Sequence, residues 1–176
     1  PATASNRTIN GSTILNIYDE PNNTLVYKEL KLQGGNTTLT IDTGSEDYVN
    51  LVVEDLKLLN GYFVISGTGR LRLYVTNTAD FDAKEHNYDE DPSKLLVLLD
   101  AGASAVINGN RMFNGLIYGP EATVTLGGNE GFKGAIISGN TTLSGTPIAS
   151  DYDTDFDLIF EDLPVSYYSF GEWVRN

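Results

Sequence analysis

Between Ala105 and Thr146 the chain repeats itself at a step of eighteen or nineteen residues, and this periodicity narrows the available folds more than any side chain does. Val106 maps onto Val124 and then Leu143. Asn108-Gly109 maps onto Gly127-Gly128-Asn129 and then Ser144-Gly145. Asn114-Gly115-Leu116-Ile117-Tyr118 maps onto Lys133-Gly134-Ala135-Ile136-Ile137. Short β-branched runs punctuated by Gly and Asn predict a solenoid, in which each coil buries its neighbour's apolar edge. The runs are too short and too often broken by glycine for a helical repeat.

A looser repeat extends upstream. Leu39 is matched with Leu58 at nineteen residues, and Leu51 and Val53 with Leu71 and Leu73 at twenty. Within 48–53 and 69–75 residue types alternate, the period-two signature of a half-buried strand. Leu71 and Leu73 are expected inside, with Arg70 and Arg72 outside. Asn60-Gly61 is placed at a corner, where positive φ is tolerated. The prediction is an all-β parallel β-helix of about five coils. It has an N-terminal cap over 1–35, coils over 36–150 with a projecting loop at 77–94, and a C-terminal cap over 151–176. A β-sandwich with regular turns is the alternative.

At 176 residues one domain can bury a core without cross-links, and with no cysteine neither disulfides nor thiolate metal sites can form. The net charge of −13 is concentrated in two stretches. Residues 80–91 and 151–162 hold six acids each, half of the chain's 24, with Lys84 the only Lys or Arg in either. Such a field repels phosphate backbones, so no nucleic-acid partner is expected. No apolar run is long enough to span a bilayer. The chain opens on Pro1-Ala2-Thr3, as expected of a mature or trimmed fragment, so membrane attachment is expected only through an anchor preceding Pro1.

Residues 91–153 resemble the β-solenoid domain in the extracellular part of bacterial type IV pilus-associated (PilX-like) proteins. The resemblance is carried by Asp91-Pro92-Ser93-Lys94-Leu95-Leu96-Val97, by the run from Phe113 to Leu126, by Gly131-Phe132-Lys133-Gly134-Ala135-Ile136-Ile137, and by Leu143-Ser144-Gly145 and Tyr152-Asp153. In that family a proline precedes the strand of the penultimate coil, an aromatic-x-Gly-Ala-Ile run follows, and a Tyr-Asp pair closes the stack. A C-terminal tryptophan is also usual, and Trp173 fits. The resemblance implies a bacterial cell-surface or pilus location, extracellular, with pilus subunits or surface glycans and proteins as partners. Gly119 stands where the family often has alanine, and the family's N-terminal pilin-like helix is missing from this sequence.

Catalysis is not expected. His86 is the only histidine and lies in an acidic, polar stretch, and no G-x-S-x-G elbow is present. The carboxylates Asp42, Glu54, Asp55 and Asp100 do not recur at a coil spacing, as a glycosidase-like pair on one face would require. The best cation candidate is Asp151, Asp153, Asp155 and Asp157, whose carboxylates could converge on Ca²⁺ if the backbone loops. Phe156 stands where an EF-hand loop needs glycine, and the alternation of Phe156, Leu158 and Phe160 favours a solvated acidic edge. Asp80, Asp82, Asp89 and Asp91 form a second candidate for a cation or a partner. Tyr167, Tyr168, Phe170 and Trp173 could stack on a sugar or anchor a protein, but they also suit a cap over the last coil. Ile14, Leu15, Ile17 and Leu25-Val26 are expected to cap the other end. The expected function is a non-catalytic surface or adhesion module. The alternatives are a bactofilin-like polymer and a carbohydrate-active β-helix enzyme.

Overall fold

The computed structural model describes residues 4–87, 91–108, 113–127 and 131–144. Twelve strands account for most of these: β1 (Ser5–Ile9), β2 (Thr13–Asn16), β3 (Thr24–Leu32), β4 (Thr38–Asp42), β5 (Tyr48–Leu58), β6 (Tyr62–Ser66), β7 (Arg70–Phe81), β8 (Glu85–His86), β9 (Leu95–Leu99), β10 (Ser104–Ile107), β11 (Phe113–Leu126) and β12 (Phe132–Leu143). Every pairing among them is parallel, and together they form the expected all-β solenoid of about five turns.

The pairings resolve into three ladders, each a wall of the solenoid. The first wall stacks 24–27 of β3, 48–53 of β5, 70–75 of β7, then β9, 116–118 of β11 and 135–137 of β12. The second stacks 6–9 of β1, 29–32 of β3, 55–58 of β5, 78–81 of β7, then β10, 123–126 of β11 and 140–143 of β12. The third runs through β2, β4, β6 and β8 to Phe113 and Phe132. Long strands such as β5 and β7 serve two walls. In β5 the inward set Val49, Leu51, Val53 gives way to Leu56, Leu58, with Glu54 and Asp55 consecutive on the outside. This break in the two-residue period turns the strand around a corner.

The core is a set of columns running along the axis. Leu51, Leu73, Val97 and Ile117 form one on the first wall, each almost wholly buried. Burial of one such side chain stabilises the fold by about 1.5–3 kcal/mol. Leu71 and Leu73 face inward, while Arg70 and Arg72 lie outside and only half-buried, as expected. Gly61 does occupy a corner, at φ +90°, where a β-carbon would collide with the Thr37 carbonyl oxygen.

Three expectations need correction. Residues 1–35 are not a separate cap, because β1, β2 and β3 are rungs of the ladders. Leu15 and Ile17 are core, whereas Ile14 and Val26 are exposed. The described parts of segment 77–94 do not project: 77–81 complete β7, Ala83 is buried, and β8 joins β6 to β11. Its polar sequence conceals a rung whose inward positions are Ala79, Phe81 and His86. Finally, the upstream coils are longer than nineteen or twenty residues. Leu51 pairs with Leu73, Leu39 with Phe63 and Leu58 with Leu32, at steps of 22, 24 and 26. Leu39 and Leu58 therefore lie on different walls. Downstream, Ala105 rather than Val106 pairs with Val124, whereas the match of 114–118 with 133–137 is the observed register. The proposed cap over 151–176 lies outside the described residues.

Candidate interaction surface

Several of the outer carboxylates that the structure describes are engaged locally. Asp55 accepts hydrogen bonds from Asn77 Nδ2 at 2.8 Å and Thr78 Oγ1 at 2.6 Å, tying two rungs together across the corner. Asp42 accepts from the Gly44 N–H, Asp100 from the Ala101 N–H, and Glu46 from Asn23 Nδ2. Glu29 pairs with Lys57, which holds the Lys57 ammonium above its usual range. Glu54 lies exposed at a corner. Among the described residues no three His, Asp or Glu side chains converge to hold a metal ion.

The acidic stretch 80–91 is divided by the fold. Asp80 sits outside the second wall opposite Lys57, with Asp82 at the next corner. Partial burial, then the charge of Asp82, raises the Asp80 carboxyl above its ordinary range, and Lys57 opposes the rise. Asp91 lies beyond the third wall, where its carboxylate caps the short turn Pro92–Lys94 by accepting from the Ser93 N–H at 2.8 Å. The three therefore do not form one loop. Asp89, the run Asp151, Asp153, Asp155 and Asp157, and the aromatics Tyr167, Tyr168 and Trp173 lie outside the described residues.

Two features were not anticipated. His86 is fully buried in an aromatic column on the third wall, between Phe63 and Phe113, with Phe132 on the next rung. Its ring makes an edge contact with Phe81 at 5.5 Å, and Phe113 stacks on Phe132 at 5.4 Å. Neither ring nitrogen has a hydrogen-bond partner among the described residues, and burial lowers its pKa to about 3. At the adjoining position Asn114 Nδ2 donates to the Asn87 carbonyl at 3.1 Å, and Asn87 Nδ2 donates to the Asn114 carbonyl at 3.3 Å. This reciprocal pair satisfies backbone groups where Asn87 takes a left-handed conformation, φ +54°.

The second feature lies outside the first wall. Leu96, Leu98, Leu116, Tyr118 and Ala135 alternate with the core positions and point away from it, yet they form a separate apolar cluster exposed by only 2–9%. Tyr74 and Ile137 pack against it. The sequence carried a signal for this: Leu95-Leu96-Val97-Leu98-Leu99 lacks alternation, as expected of a strand covered on both faces.

Fold and surface together define a parallel β-solenoid with several outer carboxylates tied into its turns and corners and an apolar cluster on the outer side of its first wall. Residues 5–158 match the family model DUF7305, described as a domain of unknown function, and the chain belongs to that family. No curated protein and no solved structure matches the chain significantly.

Proposed function

We propose that this chain is a non-catalytic scaffold displayed at a bacterial surface, as the ectodomain of a pilus-associated protein. The observation that supports this reading is the engagement of the outer carboxylates. Asp42, Asp55, Asp91 and Asp100 each fix a turn, a corner or a neighbouring rung, which stiffens the stack. Continuous ladders and an axial apolar column suit a rod that holds a partner-binding segment away from its anchor. Function of this kind lies in presentation, so it depends on the stack being rigid rather than on any reacting group.

The test is an epitope-tagged copy of the complete natural gene product in its own host. Surface labelling of intact cells and recovery with mechanically sheared pili is the expected result. A tag reached only after lysis would overturn the surface assignment. Release of sugar from bacterial or host glycans would overturn the non-catalytic one.

A polymer-forming scaffold is the second reading, favoured by the N-terminal end of the stack. Among the described residues β1 pairs only with β3 and β2 only with β4, and Ile14 and Val26 are 64% and 49% exposed. An open strand edge beside apolar residues invites end-to-end pairing. Filaments that dissolve on Ile14→Lys substitution would support that reading over the first.

A further inference from the structure

We propose that Asn6, Asn10, Asn22, Asn36 and Asn140 are attachment sites for N-linked glycans, and that the glycans at Asn6, Asn10 and Asn22 form a collar that keeps the first coil from pairing with a second copy of the chain.

Each of the five opens an Asn-x-Ser/Thr triplet with no proline in the middle: Asn6-Arg7-Thr8, Asn10-Gly11-Ser12, Asn22-Asn23-Thr24, Asn36-Thr37-Thr38 and Asn140-Thr141-Thr142. This triplet is the acceptor for oligosaccharide transfer. The chain's 16 Asn and 28 Ser and Thr would give two or three such triplets if scattered at random, so the motif alone carries little.

The structure adds what the motif lacks. All five asparagines are exposed, and among the described residues none of their amide nitrogens donates a hydrogen bond. Asn36 accepts at Oδ1 from Lys84 Nζ at 3.1 Å. An ammonium can only donate, so this contact fixes which end of the amide is engaged and leaves Nδ2 unused. Asn10 likewise accepts at Oδ1, from Gln33 Nε2 at 2.8 Å. Five asparagines outside such triplets are used differently. Asn23, Asn50 and Asn77 donate from Nδ2 to Glu46, Thr24 and Asp55, and Asn87 and Asn114 donate to backbone carbonyls. A sugar on those nitrogens would break a contact that ties the fold together. Asn16, Asn60 and Asn108 are exposed as well, but Tyr18, Tyr62 and Asn110 stand where the triplet needs Ser or Thr.

The transfer balances with one co-substrate, a lipid-linked oligosaccharide. The asparagine nitrogen attacks the anomeric carbon, and a C–N bond forms as the C–O bond to the lipid phosphate breaks. The phosphate leaves with the electron pair, and the amide proton passes to a base of the transferase. The proposal rests on the surface reading above, because this transfer reaches only chains that cross a membrane.

The collar follows from where the sites fall. Among the described residues β1 pairs only with β3, β2 only with β4, and 24–26 of β3 only with β5. Open strands of this kind invite pairing with another chain unless something guards them. Asn6 stands outside the second wall in register with Glu29, Asn10 at the corner before β2, and Asn22 at the corner before β3. They surround the coil whose Ile14 and Val26 are 64% and 49% exposed. A hydrated glycan at each position excludes a second stack while leaving this chain's own ladders intact.

The test starts from the complete gene product purified from its own host, with its glycopeptides mapped by mass spectrometry. At least two of Asn6, Asn10 and Asn22 are expected to be occupied. Asn6→Gln and Thr8→Ala should each remove one glycan from the intact mass, and Thr8→Ser should keep it, a pattern that a merely structural role would not give. Unmodified peptides at all five positions, or fewer than two occupied collar sites, would overturn the proposal. Unmodified peptides from a protein labelled on intact cells would sink this proposal and leave the surface reading standing. Unmodified peptides from a protein reached only after lysis would remove both.

The collar itself is tested with glycan-free chain made in a cytoplasm that lacks the transferase. In analytical ultracentrifugation it should associate as its concentration rises, whereas the glycosylated chain stays monomeric. Ile14→Lys should return the glycan-free chain to the monomer. A glycan-free chain as monomeric as the glycosylated one would overturn the collar.

Discussion

Replacing His86 by leucine should make the fold less sensitive to acid by a calculable amount. In the folded chain the imidazole is neutral, because burial lowers its pKa from 6.5 to about 3. The unfolded chain binds a proton there below pH 6.5, and the folded chain does not until about pH 3. Stability from this group is therefore complete above pH 6.5 and is lost as the pH falls toward 3. Each pH unit within that window costs about 1.4 kcal/mol, so the loss between neutral pH and about pH 4.5 is about 2.5 kcal/mol. Asp80 works in the opposite sense, since its raised carboxyl favours the folded state on protonation, but it is common to both proteins. His86→Leu keeps about the same volume among Phe63, Phe81 and Phe113. It also removes two buried ring nitrogens without partners among the described residues, so a gain of about 1–3 kcal/mol at neutral pH is expected as well. Urea unfolding of both proteins at neutral pH and at about pH 4.5 measures these differences. If the wild type and His86→Leu lose equal stability on acidification, His86 is not buried and uncharged in the way described.

Gly134→Ala should destabilise by about 2–3 kcal/mol or more, because Gly134 has φ +136° and a β-carbon there would land on the Gly115 carbonyl oxygen; thermal unfolding measures it. Asn114→Ala should cost about 1–3 kcal/mol, since the Asn87 carbonyl would lose its buried donor; equilibrium urea unfolding tests this. Leu73→Ala, in the middle of the axial column, should cost about 2–5 kcal/mol, with a lowered urea midpoint and an unchanged slope. Calcium at millimolar concentration should leave the melting temperature where EDTA leaves it. A rise reversed by chelation would assign a site to Asp151, Asp153, Asp155 and Asp157.

The legible part of the fold lay where corners are uniform. The match of 114–118 to 133–137 is the true register because the passage from the second wall to the first takes nine residues in both coils, whereas at the next corner the step falls from 19 residues to 17. The alternation of 48–53 and 69–75 assigned inward and outward faces correctly, since that period is local to one strand. Register between upstream rungs was not legible, because it depends on corner lengths that differ from turn to turn. Nor was the role of His86. A two-residue strand has no periodicity, and the acids on both sides of it mask a buried position. The outer patch was written in Leu95–Leu99 and missed because an unbroken apolar run reads first as core. Only pairing with β7 and β11 assigns Leu96 and Leu98 to the outer side.

Variation in the corners has an architectural consequence. Between the third wall and the first, the chain passes from Asn16 to Thr24, from Asp42 to Tyr48, and from Ser66 to Arg70, so this linker shortens while the rungs on either side stay in register. The walls carry the cooperative order, and the linkers can change length at little cost, about 0.6 kcal/mol for each doubling of a flexible loop. Such an arrangement resembles a spine with interchangeable spacers. Peptides grafted between Asp42 and Tyr48 would be displayed at a fixed height along the axis, and adding or deleting a whole turn would change that height in increments of about 4.8 Å.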